Sequence, residues 1–153
     1  MGGSYSTYVY AMGDTLIYID PLGLCWVYSQ STGRLTHVDA TGNVTNVATG
    51  YAGIGAGVNN PALQNVASTG PLPQGSYTVG PQQTNVTSDG HRLPASMRLI
   101  PDTSNQMFNR AGFLIHGPHA NDQHNSSNGC PIFPRQVRDQ IGNSNDTCFR
   151  VVQ

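Results

Sequence analysis

The sequence contains no lysine and no glutamate: its seven basic residues are all arginine and its eight acidic residues are all aspartate. The absence of lysine excludes Schiff-base catalysis, and the absence of glutamate excludes a glutamate general base. Lysine and glutamate are also good helix formers, whereas the turn-forming residues glycine, proline, asparagine, serine and threonine are abundant. We therefore predict a mainly β protein with little helix.

Strong net charge and long apolar runs are also missing. The net charge is -1 and there is no basic stripe, which argues against a nucleic-acid partner. No apolar run is long enough to span a bilayer. Residues 1–7 lack the basic and apolar regions of a secretory signal, so any export is expected to use another route. The 153 residues are enough for one domain with a hydrophobic core.

The three cysteines are too few for a disulfide framework. Cys25 and Cys148 could pair in an oxidising compartment, which would leave Cys130 free. Three unpaired thiols are the alternative that the sequence leaves open.

The stretch 113–134 contains the strongest chemical signal. His116 follows an apolar triplet and precedes Gly117, and Cys130 follows a Ser-Asn-Gly turn. Two neighbouring strands ending here would join an imidazole to a thiol, the minimum for thiol nucleophilic catalysis. The histidine would stabilise the thiolate, and the amides around Gly129 and Cys130 would form an oxyanion hole. A cysteine kept for packing and a structural histidine are the alternative interpretations.

Local patterns predict most of the remaining elements. These are a hairpin over 26–38, a glycine-rich loop over 41–60, a short helix over 61–67, a turn and strand over 70–79, a polar loop over 86–93, a strand over 96–100, a helix over 134–141 and a last strand over 147–152.

Residues 1–24 form an aromatic, strand-like segment that ends in Asp-Pro-Leu-Gly-Leu at 20–24. This segment resembles the end of the core of Rhs-repeat proteins, where such a motif marks the boundary with a variable C-terminal toxin. The resemblance implies an Rhs-core remnant at 1–24 and a toxin domain at 25–153, with the boundary directly after Leu24, where the cores of that family cleave themselves.

Residues 26–152 resemble the L,D-transpeptidase family of peptidoglycan enzymes, in the subgroup of type VI secretion toxins. The matching pieces occur in order: Ser-Thr-Gly-Arg at 31–34, Gly-Tyr-Ala-Gly at 50–53, Asn-Asn-Pro at 59–61, Gly-Pro-Leu-Pro-Gln-Gly-Ser-Tyr at 70–77, Arg-Leu-Ile-Pro at 98–101, Arg-Ala-Gly-Phe-Leu-Ile-His-Gly at 110–117, Ser-Asn-Gly-Cys at 127–130 and Pro-Arg at 134–135. The resemblance implies a β-sandwich or barrel with one or two short helices.

The resemblance also implies roles for individual residues. Cys130 becomes the nucleophile, His116 the base and Ser127 the site serine, with Gly129 beside them. Gly117, His119 and His124 are expected at the substrate rim. Most cell-wall-building members have an arginine two or three residues after the cysteine, and this chain has Ile132 and Phe133 there. Arg135 is the nearest basic residue, and it replaces that arginine or, alternatively, lies with Arg138 on a solvated helix face.

The function implied is an attack on peptidoglycan stem tetrapeptides through a cysteine thioester, as an L,D-carboxypeptidase or by exchange of D-amino acids. The implied partners are a cognate immunity protein and the Rhs core with its secretion machinery, and the implied place of action is the periplasm of a target bacterium. No cofactor is implied. The alternatives are another Cys-His peptidase or amidase, a zinc site built from His116, His119, Asp122 and His124, and a non-catalytic Rhs-associated binding module.

Overall fold

The computed structural model describes residues 8–12, 15–19, 24–119 and 126–153. These residues contain ten strands, one α-helix and two short 3-10 helices at Gly55–Gly57 and Pro61–Leu63. The strands are β1 (Tyr8–Met12), β2 (Thr15–Ile19), β3 (Cys25–Ser29), β4 (Arg34–Val38), β5 (Val44–Thr49), β6 (Gly75–Val79), β7 (Gln83–Val86), β8 (Arg92–Pro101), β9 (Leu114–Ile115) and β10 (Cys148–Val152), and the helix is α1 (Arg135–Asn143).

Eight of the strands form one curled sheet, a half-barrel. Neighbouring strands follow the order β5-β4-β3-β10-β6-β8-β7, and β9 pairs with β8. All pairs in this sheet are antiparallel except β3 with β10, which is parallel. β1 and β2 form a separate antiparallel pair. The predicted mainly β fold with one short helix is confirmed.

Several predicted elements are present at the expected places. The hairpin over 26–38 consists of β3 and β4, with Cys25 opposite Val38 and Tyr28 opposite Leu35. The strand predicted over 96–100 lies inside β8, the last strand is β10, and the turn after residue 70 leads into β6. The local alternation of apolar residues was sufficient for these elements.

Two of the stretches that differ from the prediction lie between residues 41 and 67. The glycine-rich loop over 41–60 contains β5, which forms because its backbone pairs with β4 at the edge of the sheet. The helix predicted over 61–67 is limited to Pro61–Leu63, where the Asn60 side chain accepts a hydrogen bond from the Ala62 amide at 3.1 Å. None of the three residues is buried. Without an apolar face to bury, a single turn is not extended.

The core lies between the sheet and α1. Tyr28, Phe133 and Phe149 are fully buried. Tyr28 meets Phe133 edge-on with ring centroids 5.9 Å apart, and it stacks on Phe149 at 6.3 Å. α1 contributes Val137 and Ile141 from the helix predicted over 134–141. Their spacing places both apolar side chains on the face that packs against the sheet.

A disulfide joins Cys25 to Cys148, the first residues of the parallel strands β3 and β10. The link connects positions 123 residues apart in sequence and leaves Cys130 as the free cysteine. The pairing considered from the sequence is therefore present in the structure.

The strand β9 positions the segment that carries His116. Its backbone lies beside residues 131–133: the His116 amide donates to the Pro131 carbonyl at 3.3 Å, and the Phe133 amide donates to the His116 carbonyl at 3.0 Å. Tyr51 flanks the same segment through a bridge to Ile132. These bonds bring the ends of two short segments together, as predicted for the stretch 113–134.

The boundary motif at 20–24 lies mostly outside the described residues, because only Leu24 of the motif belongs to them. The division into an Rhs-core remnant and a toxin domain stays a prediction.

Candidate active site

Cys130 lies at the end of the turn that begins at Ser127 and directly before the segment bridged to His116. The residue as a whole is partly exposed, and its thiol is buried. The Leu114 amide donates a hydrogen bond to the sulfur, with an N–S distance of 3.4 Å. A backbone donor at this distance favours the charged form of the thiol, because it stabilises the thiolate more than the neutral group.

The hydroxyl of Ser127 is buried and bonded to backbone groups. It accepts hydrogen bonds from the Gly53 amide at 3.0 Å and the Gly129 amide at 2.9 Å, and it donates to the Cys130 carbonyl at 2.6 Å. These three bonds engage the hydroxyl fully. Ser127 therefore acts here as a positioning residue that holds the backbone behind the sulfur.

The backbone conformation and the close neighbours at position 129 both require a glycine. Its φ of +132° lies in a region that favours glycine, and a Cβ built there would lie 2.5 Å from the Arg110 Nη2 atom. Its amide is already bonded to Ser127 and is not available to an oxyanion. The Cys130 amide has no hydrogen-bond partner among the described residues. Of the two amides predicted to form an oxyanion hole, it is therefore the one that is available.

His116 is buried, with 8% of its surface exposed. Its Nδ1 atom lies 3.0 Å from the Gly117 carbonyl. A carbonyl only accepts, so Nδ1 carries the hydrogen and donates, and Nε2 keeps the lone pair of the neutral ring. This tautomer leaves Nε2 for proton transfer, the role predicted for the base.

Burial decides the resting charge of the two groups. It raises the pKa of the Cys130 thiol, although the Leu114 amide and the Arg110 charge oppose the change. Burial also lowers the pKa of His116, and the Arg138 charge adds to this shift. At neutral pH the pair is therefore a thiol and a neutral imidazole. The resting thiolate expected from the sequence is therefore not favoured.

Arg110 is a part of the site for which the sequence predicts no role. Its guanidinium donates to four backbone carbonyls, those of Gln64, Gly70, Pro71 and Asn128, at 2.6 to 3.3 Å. The group also lies over the Phe113 ring, 5.1 Å from the centroid. Its charge opposes the rise in the pKa of the Cys130 thiol that burial causes. A single arginine before an apolar strand gives no sequence signal for such burial.

One cavity of about 710 Å³ is lined by both Cys130 and His116. Gly117 and His119 line it as well, and their place at a substrate rim stays a prediction. The tip of the β7–β8 hairpin, where a polar loop was predicted over 86–93, also lines the cavity. The cavity is large enough for a peptide segment. His124 lies outside the described residues.

Arg135 does not line this cavity in the structure. Its side chain is exposed and forms an i,i+4 ion pair with Asp139 at 2.9 Å. Arg135 therefore lies on a solvated helix face, which was the alternative interpretation. Arg138 does not, because it is buried and lines the cavity. Helical spacing could have shown this difference, because Arg138 lies on the same face as Val137 and Ile141.

No group of three or more histidine, cysteine or acidic side chains able to hold a metal occurs among the residues that the structure describes. Asp122 and His124, two of the four residues considered for zinc, lie outside those residues. Within the described ranges no helix is both long enough and apolar enough to cross a membrane.

Solved structures with the same fold are L,D-transpeptidases. A mutant of an Enterococcus faecium L,D-transpeptidase is 13% identical over 88% of this chain, with a TM-score of 0.55. An L,D-transpeptidase from Mycobacterium tuberculosis H37Rv is 18% identical over 99% of this chain, with a TM-score of 0.55. The chain spans 50% of the first structure and 68% of the second. These similarities show the fold.

L,D-transpeptidase 3 from Mycobacterium tuberculosis, in complex with a faropenem-derived adduct, is 18% identical over 99% of this chain. The TM-score is 0.54, and the match spans 70% of that structure. A comparison with curated proteins gave no match.

A known domain family matches residues 46–148, which include His116, Ser127 and Cys130. The matched residues make up more than half of the chain and contain β6, β7, β8, β9 and α1. The chain belongs to the Tlde1 domain family, a family of type VI secretion effector domains, and has an L,D-transpeptidase-like fold.

Proposed function

We propose that this chain is an antibacterial effector domain that removes or exchanges the terminal D-alanine of peptidoglycan stem tetrapeptides through a thioester on Cys130. The observation that supports this most strongly is a single cavity lined by a free thiol and by an imidazole whose Nδ1 is bound to a carbonyl. An effector family and an L,D-transpeptidase-like fold support a peptidoglycan target.

In the proposed first step, Nε2 of His116 takes the thiol proton while the sulfur attacks the carbonyl of the diaminopimelate residue. Because both groups are neutral at rest, the proton transfer accompanies formation of the carbon–sulfur bond. The negative charge that develops on the carbonyl oxygen is stabilised by the Cys130 amide. The imidazolium then protonates the amine of D-alanine, the carbon–nitrogen bond breaks, and a thioester remains.

In the second step, the thioester is attacked by water or by the amine of a free D-amino acid. Neutral His116 takes a proton from the attacking group, and the sulfur leaves and regains a proton. Water gives an L,D-carboxypeptidase reaction, and a D-amino acid gives exchange. Both reactions consume the tetrapeptide donors that the target uses for wall building, which would make the domain toxic in the periplasm.

The biological setting follows from the same proposal. The domain at 25–153 is delivered by a type VI secretion system, and residues 1–24 are the end of an Rhs core. The producer protects itself with an immunity protein that covers the cavity at Cys130. These partners come from the resemblance and the effector family.

The direct test is incubation with purified disaccharide tetrapeptide. The wild type should release D-alanine, Cys130→Ala should release none, and His116→Gln should be slower by about 10²–10⁴-fold. Mass analysis of the product must show the loss of one alanine. Loss of a longer peptide would indicate another Cys-His peptidase or amidase, and undiminished toxicity of periplasmic Cys130→Ala would indicate a binding module.

A further inference from the structure

Arg138 is a buried arginine whose guanidinium is fixed on two sides. It is 8% exposed. Its Nε atom donates to the Phe133 carbonyl at 3.0 Å, and Nη1 donates to the carbonyls of Pro94 and Ala95 at 2.8 and 3.1 Å. These bonds hold the planar group in one orientation between α1 and β8.

The charge of Arg138 has no counter-ion in the described part of the chain. No carboxylate there lies within 4 Å of it, and the neighbouring Asp139 bonds instead to Arg135 and Gln82, at 2.9 and 2.8 Å. Burial lowers the pKa of Arg138 and the Arg135 charge adds to this effect, whereas the Asp139 charge opposes it from beyond ion-pair distance. A buried cation without a directly paired anion is costly, so a site of this kind gains from an anionic ligand.

The third nitrogen, Nη2, has no hydrogen-bond partner among the described residues. It lies against Gly117: a Cβ built on that glycine would be 2.5 Å from it. Arg138 and Gly117 both line the cavity, and Gly117 directly follows His116. The unused edge of the guanidinium therefore lies against the residue that follows His116, and the Arg138 charge is near enough to lower the pKa of His116. An alanine at 117 would displace it.

This position matters for a substrate that ends in a free carboxylate. The proposed reaction has His116 protonate the amine of the leaving D-alanine, and a single carbon separates that amine from the terminal carboxylate. The carboxylate must therefore lie on the His116 side of the cavity, where Nη2 is available. Charge-assisted bonds between a guanidinium and a carboxylate are strong and geometrically specific.

We propose that Arg138 binds the terminal carboxylate of the leaving D-amino acid and thereby selects stem peptides that end at that residue. The same contact would bind a free D-amino acid when it enters for exchange, because the incoming carboxylate occupies the position that the leaving one vacated. Attack by water needs no such contact. This inference rests on the proposed function and adds to it the part of the substrate that the enzyme selects.

The test compares two substrates, the disaccharide tetrapeptide and the same molecule ending in D-alaninamide. The wild type should favour the free acid by about 10- to 100-fold in kcat/KM. Arg138→Gln should bring the ratio close to one, and Arg138→Lys should give an intermediate ratio. Arg135→Gln, on the exposed face of the same helix, should keep the wild-type ratio.

The ratio is measured on one enzyme sample, so partial unfolding of a variant does not change it. A wild type that releases D-alanine and D-alaninamide equally well would overturn the inference without needing any variant. If Arg138→Gln kept the wild-type preference for the free acid, the inference would be overturned too. Arg92 is an exposed residue that also lines the cavity. If Arg92→Gln lost the preference and Arg138→Gln did not, Arg92 would be the residue that binds the carboxylate. Failure of the wild type on both substrates would refute the proposed function itself.

Discussion

The Ser127 hydroxyl donates a 2.6 Å hydrogen bond to the carbonyl of Cys130, the residue that carries the proposed nucleophile. The same oxygen accepts bonds from two amides, those of Gly53 and Gly129. One buried hydroxyl thus fixes the turn, the loop beside it and the backbone of the cysteine. Its contribution to the reaction is the placement of Cys130.

Ser127→Ala should lower both stability and activity. The change leaves two buried amides without an acceptor, and each buried unsatisfied group costs about 1–3 kcal/mol. Urea unfolding should show this loss, and D-alanine release should fall more than the folded fraction does, because the Cys130 backbone is no longer held. Ser104→Ala is the control, since the exposed Ser104 hydroxyl bonds only to Asp102. An unchanged urea midpoint for Ser127→Ala would contradict this role.

Two glycine variants separate backbone strain from steric conflict. Gly112 and Gly129 both have positive φ, but a Cβ on Gly112 meets nothing within 4 Å, whereas one on Gly129 would lie 2.5 Å from Arg110. Gly112→Ala should therefore cost about 1–2 kcal/mol from conformation alone. Gly129→Ala should cost more, because it also displaces a buried guanidinium. Chemical denaturation measures both, and equal losses would show that the Arg110 contact is unimportant.

The pH dependence should follow the directions of the two pKa shifts. A raised pKa for Cys130 keeps the thiol protonated at neutral pH, so alkylation by iodoacetamide should be slow at pH 7 and accelerate only above the ordinary thiol range. A lowered pKa for His116 keeps the imidazole neutral, so peptide cleavage should persist below about pH 6.5 and decline as the ring protonates.

The alkylation series needs a small free thiol in the same buffers as its control. Fast alkylation that does not vary between pH 5 and 7 would contradict the neutral pair, because that profile belongs to a thiolate stabilised by an imidazolium.

Much of the architecture followed from local sequence patterns, and the exceptions have physical causes. The hairpin over 26–38 and the helix over 134–141 carry their own periodicity and turn residues. β5 has no comparable pattern, because it is an edge strand that forms through pairing with β4. The helix predicted from Pro61 lacks a buried face, and β8 extends beyond the predicted strand because β7 pairs with its first half.

The sequence predicts the site residues where a reactive side chain lies next to turn-forming residues, as at His116 and Cys130. The resting protonation state was not, because burial and the Arg110 charge depend on distant segments. Arg135 is the nearest basic residue to the cysteine in sequence, whereas the cavity is lined by Arg138, about one helical turn further on. Distance along the chain does not show which side of a helix faces a cavity.

The disulfide should contribute strongly to stability. Joining Cys25 to Cys148 closes a loop of more than 100 residues, and removing such a link costs about 2–5 kcal/mol. A reductant should therefore lower the urea midpoint of the wild type, and the double variant Cys25→Ser with Cys148→Ser should already have the lower midpoint. Cys130→Ser should respond to the reductant as the wild type does. An unchanged midpoint in reductant would exclude a stabilising disulfide.

The most direct test of the central claim is intact-protein mass spectrometry during turnover of disaccharide tetrapeptide. A mass gain equal to the substrate minus D-alanine should appear on the peptide that contains Cys130, and hydroxylamine, which cleaves thioesters, should remove it. Cys130→Ala should show neither the adduct nor D-alanine release. Continued release of D-alanine by Cys130→Ala, with no adduct on the wild type, would contradict covalent catalysis by this cysteine.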